Sequence, residues 1–340
     1  MADERRRVTA TDLMPVVRLA PAKLNLTLAV VGRRADGFHD LHSVFLPLAL
    51  ADRLSLAPVG TTGRHADTLH VSGADTGPLA ANLVLRGIAA ARAAVGEGPG
   101  RPATPPLAVR LEKHIPVAAG LAGGSSDGAA AFDGALEAWG AEVDAERRAR
   151  AAASIGSDVP FFLAGGAALI EGRGERVTPL RGIHGHPGFL LVTPSVPVRT
   201  PDVFAVFDGT RERGDGSVRM TSEHLAQELG KGLSAADLVA RSGVLAAAND
   251  LLAAAVIVEP RLVAVRRALT RTLGRAIGLS GSGPTLWTLY PSEVEAQAGA
   301  EAVRDAVASG AIPTIGDRPP AIIATTIART RPTADEEPIP

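Results

Sequence analysis

The sequence has 340 residues, of which 46% are hydrophobic and 3% aromatic, and its 35 basic and 36 acidic side chains leave a formal net charge of -1. This length predicts about two domains, and the apolar content is sufficient for folded cores. The charge balance provides no general attraction to nucleic acid or to an anionic membrane, and the absence of cysteine excludes disulfides, thiolate metal sites and cysteine nucleophiles.

Both ends of the sequence differ in composition from the rest. Residues 1–12 are charged without apolar periodicity, and residues 330–340 are rich in proline and acidic side chains. These compositions predict disordered tails at 1–12 and 330–340. Because residues 1–12 lack the apolar stretch of a secretory signal and no run of about 18 apolar residues occurs, we expect a soluble, cytoplasmic protein without a membrane partner.

The N-terminal half mixes strand and helix patterns. Alternating, β-branched segments predict strands at residues 16–19, 24–31, 43–49, 53–57 and 107–111. Pro21 is expected to separate the first two. Alanine-rich segments predict helices at residues 82–95, 126–139 and 142–155.

In the C-terminal half, strands are predicted at residues 189–193, 285–290 and 321–328. Helices are predicted at residues 244–255, 260–273 and 292–309. The glycine-rich segment 181–188 is the candidate joint, which gives predicted domains at 13–183 and 187–329. Because the strands are not followed one by one by helices, the pattern predicts an α+β fold with antiparallel elements.

Residues 115–127 form a loop of small residues that ends in two serines before a helix. Small residues allow backbone N–H groups to approach an anion, and the helix N-terminus adds partial positive charge. Ser125 or Ser126 could cap the helix or direct its hydroxyl to a phosphate or a magnesium ion. An ordinary glycine-rich turn remains the alternative. The loop is not a Walker A motif, because no Gly-Lys-Ser/Thr follows.

A second glycine-rich segment, 278–285, precedes a predicted strand. Considered alone, it is typical of a tight turn. Two such loops in one chain favour phosphate binding, because both could close on one ligand.

Only three of the 35 basic residues are lysines, namely Lys23, Lys113 and Lys231. Lysine can place a compact charge against a carboxylate or phosphate, which the wide guanidinium of arginine does less well. Lys23 and Asn25 share one face of an apolar strand pattern, where an edge-strand lysine is the alternative.

Asp158 is followed by Val-Pro-Phe-Phe, so its carboxylate is predicted to lie against apolar surface. A carboxylate is costly there unless it is paired or functional, although a helix cap or a turn would also account for it. Asp36 and Gly37 predict a hairpin turn that would present Phe38 and His39 to a ligand. The histidines form no convincing transition-metal set.

Taken in chain order, these segments resemble the GHMP superfamily of small-molecule kinases. The resemblance runs from residue 16 to residue 329. It implies an α+β, two-domain GHMP kinase fold, with an N-terminal ribosomal-protein S5 domain 2-like part that binds ATP and a C-terminal ferredoxin-like α/β sandwich. The superfamily motifs lie at residues 21–25, 116–126 and 279–283. The segments that narrow the resemblance to a kinase for a cytidine diphosphate-linked methylerythritol lie at residues 36–41, 156–162, 200–204 and 249–251.

The resemblance also implies site residues, with ATP and Mg²⁺ as cofactors. Asp158 would be the general base, and Lys23 would hold it ionised together with the reacting hydroxyl. Mg²⁺ would be held through Ser125 or Ser126. The residues implied to bind ATP are Asn82, Pro116, Val117, Ala118, Ala119, Gly120, Leu121, Ala122, Gly123, Gly124, Ser125 and Ser126. The implied residues of the second glycine loop are Gly281, Ser282, Gly283 and Thr285.

For the second substrate, the resemblance implies that Phe38 stacks on cytosine while His39 forms hydrogen bonds to it. Tyrosine is usual at position 38, so stacking is retained and a phenolic hydrogen bond is lost. The other residues implied to bind this substrate are Asn25, Phe45, Thr200 and Phe204. Alanine stands at three positions that are often glycine in the family, which predicts a stiffer phosphate loop. These positions are Ala118, Ala119 and Ala122.

The expected function is therefore ATP-dependent phosphorylation of the 2-hydroxyl of the cytidine diphosphate-linked methylerythritol, in the non-mevalonate route to isoprenoid precursors. One alternative is another GHMP kinase, acting on homoserine or mevalonate, which would leave Phe38 and His39 without a role. A non-catalytic binding module is a further alternative, disfavoured by the presence of both Lys23 and Asp158. The expected partner is a small molecule that carries cytidine diphosphate, not a nucleic acid, and the protein is expected to be a monomer or a homodimer.

Overall fold

The computed structural model describes residues 14–59, 66–96, 98, 100–210 and 216–328. The tails predicted at 1–12 and 330–340 lie outside these residues. The chain forms two compact units. Of the described residues, the first unit contains those up to Ala20 and those within Ala51–Val117 and Gly123–Leu163, and the second contains those within Pro21–Leu50 and Ala118–Ala122 and from Ala164 onwards. The predicted domains 13–183 and 187–329 stay a prediction.

Strands and helices are mixed along the chain, which confirms the predicted α+β class. The strands are β1 (Val16–Asn25), β2 (Ala29–Arg33), β3 (His39–Pro58), β4 (Thr68–Ser72), β5 (Leu107–Glu112), β6 (Ala168–Gly172), β7 (Arg176–Pro179), β8 (Ile183–His184), β9 (Gly188–Thr193), β10 (Leu233–Ser234), β11 (Gly278–Leu279), β12 (Leu286–Tyr290) and β13 (Ala321–Thr325). The helices are α1 (Leu83–Val95), α2 (Gly123–Trp139), α3 (Ala145–Ile155), α4 (Val159–Ala164), α5 (Thr200–Gly209), α6 (Ser217–Lys231), α7 (Ala235–Ala240), α8 (Ser242–Ala247), α9 (Leu252–Val258), α10 (Leu262–Leu273) and α11 (Glu293–Ala308).

In the first unit, β5 runs antiparallel to residues 53–58 of β3 and parallel to β4. Helices α1 and α2 pack together above a core that includes Leu56, Ile88 and Phe132. Their backbones approach closely, since a Cβ atom at Gly87 would lie only 2.3 Å from the carbonyl oxygen of Gly128. Glycine at the crossing therefore allows α1 to pack closely against the first part of α2, which follows the first glycine-rich loop.

In the second unit, β6 pairs antiparallel with residues 41–45 of β3, and β7 and β2 extend this pairing. A separate antiparallel sheet has the strand order β11-β12-β9-β13. Its apolar side chains, among them Leu190 and Leu286, pack with Val265 of α10 and Ala296 of α11. This sheet carries the second glycine-rich loop between β11 and β12.

Several predicted element boundaries differ from the structure, and three of these differences have an identifiable physical reason. Strand β1 continues through Pro21, because proline lacks an N–H donor but its fixed φ is compatible with extended backbone. The strands predicted at 43–49 and 53–57 are one long strand, β3. The helix predicted at 244–255 is interrupted, because the backbone of Ala248 and Asp250 hydrogen-bonds to Leu28 instead.

Within the described part of the chain, no helix has both the length and the apolar character needed to cross a bilayer.

Alanine residues in the first glycine-rich loop adopt left-handed backbone conformations. Ala118 has φ 54° and Ala122 has φ 52°. An L-residue is strained there by about 1–2 kcal/mol, whereas the extra backbone freedom of glycine costs about 0.5–1 kcal/mol on folding. We therefore expect Ala122→Gly to raise the free energy of unfolding by up to about 1 kcal/mol, measured by urea denaturation.

Ala119, in the same loop, provides the matched control, because its φ is not positive and its side chain is buried. Ala119→Gly should lower the free energy of unfolding by at least about 0.5–1 kcal/mol. Equal destabilisation by Ala122→Gly and Ala119→Gly would contradict strain at position 122.

Candidate active site

Lys23 lies at the centre of a buried polar cluster in the second unit. Its side chain is 4% exposed, so the alternative of a solvent-facing edge-strand lysine is wrong. Its Nζ atom donates to Asn25 Oδ1 at 2.5 Å and to the carbonyl oxygen of Gly120 at 2.9 Å. Asn25 in turn donates through Nδ2 to Ser43 Oγ at 3.1 Å. The end of β1 is thereby connected to residues 118–122 of the first glycine-rich loop.

The second glycine-rich loop reaches the same cluster. Ser280 Oγ donates to the carbonyl oxygen of Gly120 at 3.0 Å. A Cβ atom at Gly281 would lie 3.5 Å from both Lys23 Nζ and Asn25 Oδ1, and this residue has φ 57°. Glycine therefore lets the loop adopt its turn beside the ammonium group. The three motif segments, distant in sequence, meet around one lysine.

Asn249 holds the second loop in shape. Its Nδ2 atom donates to the carbonyl oxygens of Leu279 and Gly281, both at 2.9 Å, while its Oδ1 accepts from the backbone N–H of Leu251 at 2.9 Å. These contacts account for the interruption between helices α8 and α9. Sequence reasoning assigned Asn249 no role, although segment 249–251 contributed to the resemblance.

Phe45, Thr200 and Thr285 occupy different environments. Lys23 Nζ lies 4.9 Å from the ring centroid of the buried Phe45. Thr200 is exposed at the start of α5, and its Oγ1 lies 2.8 Å from Ser282 Oγ in the second loop. Thr285 is fully buried and shares a 2.8 Å hydrogen bond with Thr193 in the adjacent strand, which connects the loop to the sheet.

Phe38 and His39 lie at the predicted hairpin turn between β2 and β3, where Gly37 has φ 85°. Phe38 is 52% exposed, and the guanidinium carbon of Arg173 lies 4.8 Å from its ring centroid. The His39 ring stacks on Phe204, with centroids 4.6 Å apart and planes inclined by 19°. The hairpin thus presents the exposed ring of Phe38 beside His39, whose ring stacks on Phe204.

Asp208 fixes the orientation of His39. Its Oδ1 atom lies 2.7 Å from His39 Nε2. Because a carboxylate accepts hydrogen bonds, Nε2 donates in this contact, and Nδ1 is the ring nitrogen left for another partner. Sequence reasoning did not find Asp208, which lies 169 positions from His39 in the chain.

A cavity of about 810 Å³ lies beside His39 within the second unit. Strand β2, the end of α5 and the start of α6 form its lining, including Arg33, Asp208 and Arg219. Its volume falls within the range of about 300–1,000 Å³ that is typical of small-molecule sites.

In the first unit, Ser125 and Ser126 stand in the first turn of α2. Ser125 is half-buried, whereas Ser126 is 1% exposed and its Oγ has no hydrogen-bond partner among the described residues. A buried hydroxyl without a partner is costly, so a group that binds there would satisfy it. The N–H groups of this turn also provide the positive end of the helix.

Asp158 is half-buried in the turn that joins α3 to α4. This turn lies next to the start of α2, since a Cβ atom at Gly156 would lie 3.7 Å from Ser125 Oγ. The first unit therefore brings the predicted base segment close to the predicted phosphate-loop serines.

Asn82 caps helix α1. Its Oδ1 accepts from the backbone N–H of Val84 at 3.0 Å, and its Nδ2 donates to Thr76 Oγ1 at 3.2 Å. The predicted adenine contact at Asn82 stays a prediction.

A buried charged network underlies the start of α2. Lys113 Nζ donates to Asp127 Oδ2 at 2.7 Å and to Asp52 Oδ2. Burial raises the pKa of the Asp127 carboxyl to about 7, although the charge of Lys113 acts in the opposite direction. Sequence reasoning gave Lys113 no role, yet its rarity as one of three lysines was a usable signal.

Comparison with known proteins identifies the family. The model of the GHMP kinases N terminal domain matches residues 82–166, and that of the GHMP kinases C terminal matches residues 228–309. A 4-diphosphocytidyl-2-C-methyl-D-erythritol kinase from Paramagnetospirillum magneticum is 38% identical over 285 residues, which cover 83% of this chain and 91% of that protein. The chain belongs to the GHMP kinase family. The predicted superfamily is thereby confirmed.

A second relative and two solved structures extend the comparison. A 4-diphosphocytidyl-2-C-methyl-D-erythritol kinase from Nocardia farcinica is 39% identical over 275 residues, covering 80% of this chain and 83% of that protein. A crystal structure of a 4-(cytidine 5'-diphospho)-2C-methyl-D-erythritol kinase superposes with a TM-score of 0.68 at 31% identity, covering 92% of this chain and all of that one. Homoserine kinase from Cytophaga hutchinsonii has a TM-score of 0.67 at 16% identity, covering 93% of this chain and 96% of that one, and shares the fold.

Proposed function

We propose that this GHMP kinase transfers the γ-phosphoryl group of ATP to the 2-hydroxyl of 4-diphosphocytidyl-2-C-methyl-D-erythritol, in the non-mevalonate route to isoprenoid precursors. The observation that carries the proposal is the Lys23 cluster, where the end of β1 and both glycine-rich loops meet at one buried ammonium group. The names of the relatives above, which align over most of the chain, support this substrate.

In this proposal, Asp158 accepts the proton of the 2-hydroxyl as its oxygen attacks the γ-phosphorus. Lys23 supplies a compact positive charge that offsets the charge of the transferred group. Asn25 orients the substrate and the lysine, because its Oδ1 accepts a hydrogen bond from Nζ. Since phosphoryl transfer depends mainly on positioning and charge neutralisation, loop residues 116–126 contribute much of the rate.

The start of α2 fits a metal–phosphate group. The unpartnered Ser126 hydroxyl and the half-buried Ser125 hydroxyl are oxygen donors of the kind that Mg²⁺ takes together with phosphates and waters. Ser125 or Ser126 would hold Mg²⁺ beside the phosphates of ATP, where the ion would neutralise part of their charge. The backbone N–H groups of the same turn bind the phosphates directly.

Cytidine recognition is assigned to the β2–β3 hairpin. The exposed ring of Phe38 offers a stacking face, and His39, oriented by Asp208, would accept from the 4-amino group of cytosine through Nδ1 of its neutral form. Uracil carries a carbonyl at that position and would lose this hydrogen bond. The nearby cavity is large enough for part of the substrate.

A substrate panel tests the proposed function. Purified protein with ATP and Mg²⁺ should phosphorylate the methylerythritol compound in preference to its uridine analogue, mevalonate and homoserine, as measured by ADP release. Turnover of mevalonate or homoserine without turnover of the methylerythritol compound would exclude it.

Removal of the stacking ring tests the cytosine site. Phe38→Ala should raise the KM for the cytidine substrate, because stacking on an aromatic ring contributes about 1–3 kcal/mol per base. The KM for ATP should stay unchanged. Phe38→Tyr is the control, since it keeps the ring and should preserve the wild-type KM. An unchanged KM in Phe38→Ala would place the cytosine elsewhere.

A further inference from the structure

Lys113 is buried in the first unit with two carboxylates as its partners. Its side chain is 3% exposed, and those of Asp52 and Asp127 are 0% and 3% exposed. When all three groups are ionised, the two carboxylates outnumber the single ammonium, and this buried cluster carries a net negative charge. Such a network is costly to build, because each charge must lose its hydration on folding. Its position relative to the phosphate loop suggests what it does.

The network fixes the point where the first glycine-rich loop begins. Asp52 Oδ1 accepts from the backbone N–H groups of His114 at 2.6 Å and Ile115 at 2.9 Å. These residues directly precede Pro116. Because Asp52 also accepts from Lys113, three hydrogen bonds converge on one carboxylate and hold the chain between β5 and the loop in one conformation.

The same lysine fixes the start of helix α2. Asp127 stands in its first turns and accepts from Lys113 Nζ at 2.7 Å. A Cβ atom at Gly123 would lie 3.3 Å from that Nζ and 3.1 Å from Ile115 Cγ2. Lys113 is therefore bonded to the first turns of α2 through Asp127 and connected through Asp52 to the residues that open the loop.

Lysine fits this position and arginine does not. The Nζ atom lies close to Gly123, and it contacts two carboxylates, that of Asp52 on strand β3 and that of Asp127 on helix α2. A planar guanidinium is wider and would need the space next to Gly123. This offers a reason for one of the three lysines in a chain that otherwise uses arginine.

We propose that Lys113 is a positioning residue for nucleotide binding: by joining Asp52 to Asp127, it sets the distance between the two attachment points of the phosphate loop. The inference rests on the proposed function, because it takes the loop and the Ser125–Ser126 turn as the site of the ATP phosphates. Lys113 acts on that site through the backbone and does not touch the nucleotide.

The test compares the effect of one substitution on the KM for ATP and on the KM for the methylerythritol substrate. Lys113→Met should raise the KM for ATP about 10-fold or more, because small displacements of groups that position a substrate are costly. The KM for the methylerythritol substrate should change less than about twofold. Affinity for a non-hydrolysable ATP analogue with Mg²⁺, measured by calorimetry, should fall in parallel. Lys231→Met, at an exposed lysine at the end of α6, should match the wild type in every measurement.

Two further variants separate positioning from stability, since Lys113→Met leaves two buried carboxylates without a cation. Lys113→Met/Asp127→Asn returns the cluster to its wild-type net charge and leaves Asp52 with its two backbone donors, so it should recover most of the melting temperature while its KM for ATP stays raised. Lys113→Arg should not rescue the KM. Recovery of both melting temperature and KM in the double variant would show that Lys113 only stabilises the fold, and would overturn the inference.

These experiments also separate a failure of the proposed role of Lys113 from a failure of the proposed function. If the wild type neither binds ATP nor phosphorylates the methylerythritol compound, the proposed function fails and the inference fails with it. If the wild type does both and the folded double variant keeps the wild-type KM for ATP, only the role of Lys113 is wrong.

Discussion

Asp158→Asn, which removes the proposed general base, should lower kcat by about 10²–10⁴-fold, because asparagine cannot accept the proton of the attacking hydroxyl. The substitution preserves size and polarity in the half-buried turn between α3 and α4, so the fold and the phosphate-loop serines should be unaffected. ATP binding, measured by calorimetry, should therefore persist while the steady-state rate of ADP formation collapses. A loss confined to kcat is the signature of an interaction that matters in the transition state.

Asp144→Asn is the matched control in the same unit. Asp144 caps helix α3 by accepting from the backbone N–H of Arg147 at 2.8 Å, and asparagine caps helices equally well. Its activity should equal that of the wild type. If Asp158→Asn kept near-normal turnover, Asp158 would not be the base, and the proton of the substrate hydroxyl would have to pass to another group or to solvent.

Local sequence patterns predicted the elements that depend on local causes. Helix α1 begins one residue after the predicted start, because Asn82 caps the helix instead of joining it. Helix α11 is likewise preceded by Ser292, whose side chain accepts from the N–H of Glu295. Composition and capping are properties of neighbouring residues, so they can be interpreted without knowledge of the tertiary structure.

Contacts between distant segments could not be predicted in this way. Lys23 and Gly120 are 97 positions apart, and Ser280 and Gly120 are 160 apart, yet all three converge in the second unit. The order of the motifs and their resemblance to a family suggested this convergence. Nothing in the local pattern indicated that Asn249 would break a helix in order to hold Leu279 and Gly281.

The scarcity of lysine pointed to Lys113 but did not reveal its role. The scarcity of lysine singled out three positions, but only Lys23 lies in a recognised motif. The partners of Lys113 are 61 and 14 positions away, and neither Asp52 nor Asp127 belongs to an acidic pattern that would predict an ion pair. A rare residue type is informative about selection at a position, whereas its role depends on neighbours that only the fold supplies.

Lys23→Met should reduce kcat by about 10²–10³-fold, the range found when one preorganised charged or hydrogen-bond donor is removed from a transition state. Methionine keeps the apolar stem of lysine at nearly the same length, but it removes the ammonium group that lies 4.9 Å from the ring centroid of Phe45. The lost groups are the hydrogen bonds to Asn25 and Gly120 and the positive charge itself. Rapid-quench measurement of the phosphoryl-transfer step should show that this chemical step, and not product release, becomes slow.

Lys23→Arg separates the charge from its geometry. The Nζ atom is held by Asn25 Oδ1 at 2.5 Å and by the carbonyl oxygen of Gly120 at 2.9 Å, so the wider guanidinium would have to displace these partners. We therefore expect Lys23→Arg to be nearly as slow as Lys23→Met despite its full charge, whereas Lys231→Arg, at an exposed position, should be as fast as the wild type. Near-normal turnover of Lys23→Arg would mean that a positive charge anywhere in the cluster is sufficient, and that the compact ammonium is not what the reaction requires.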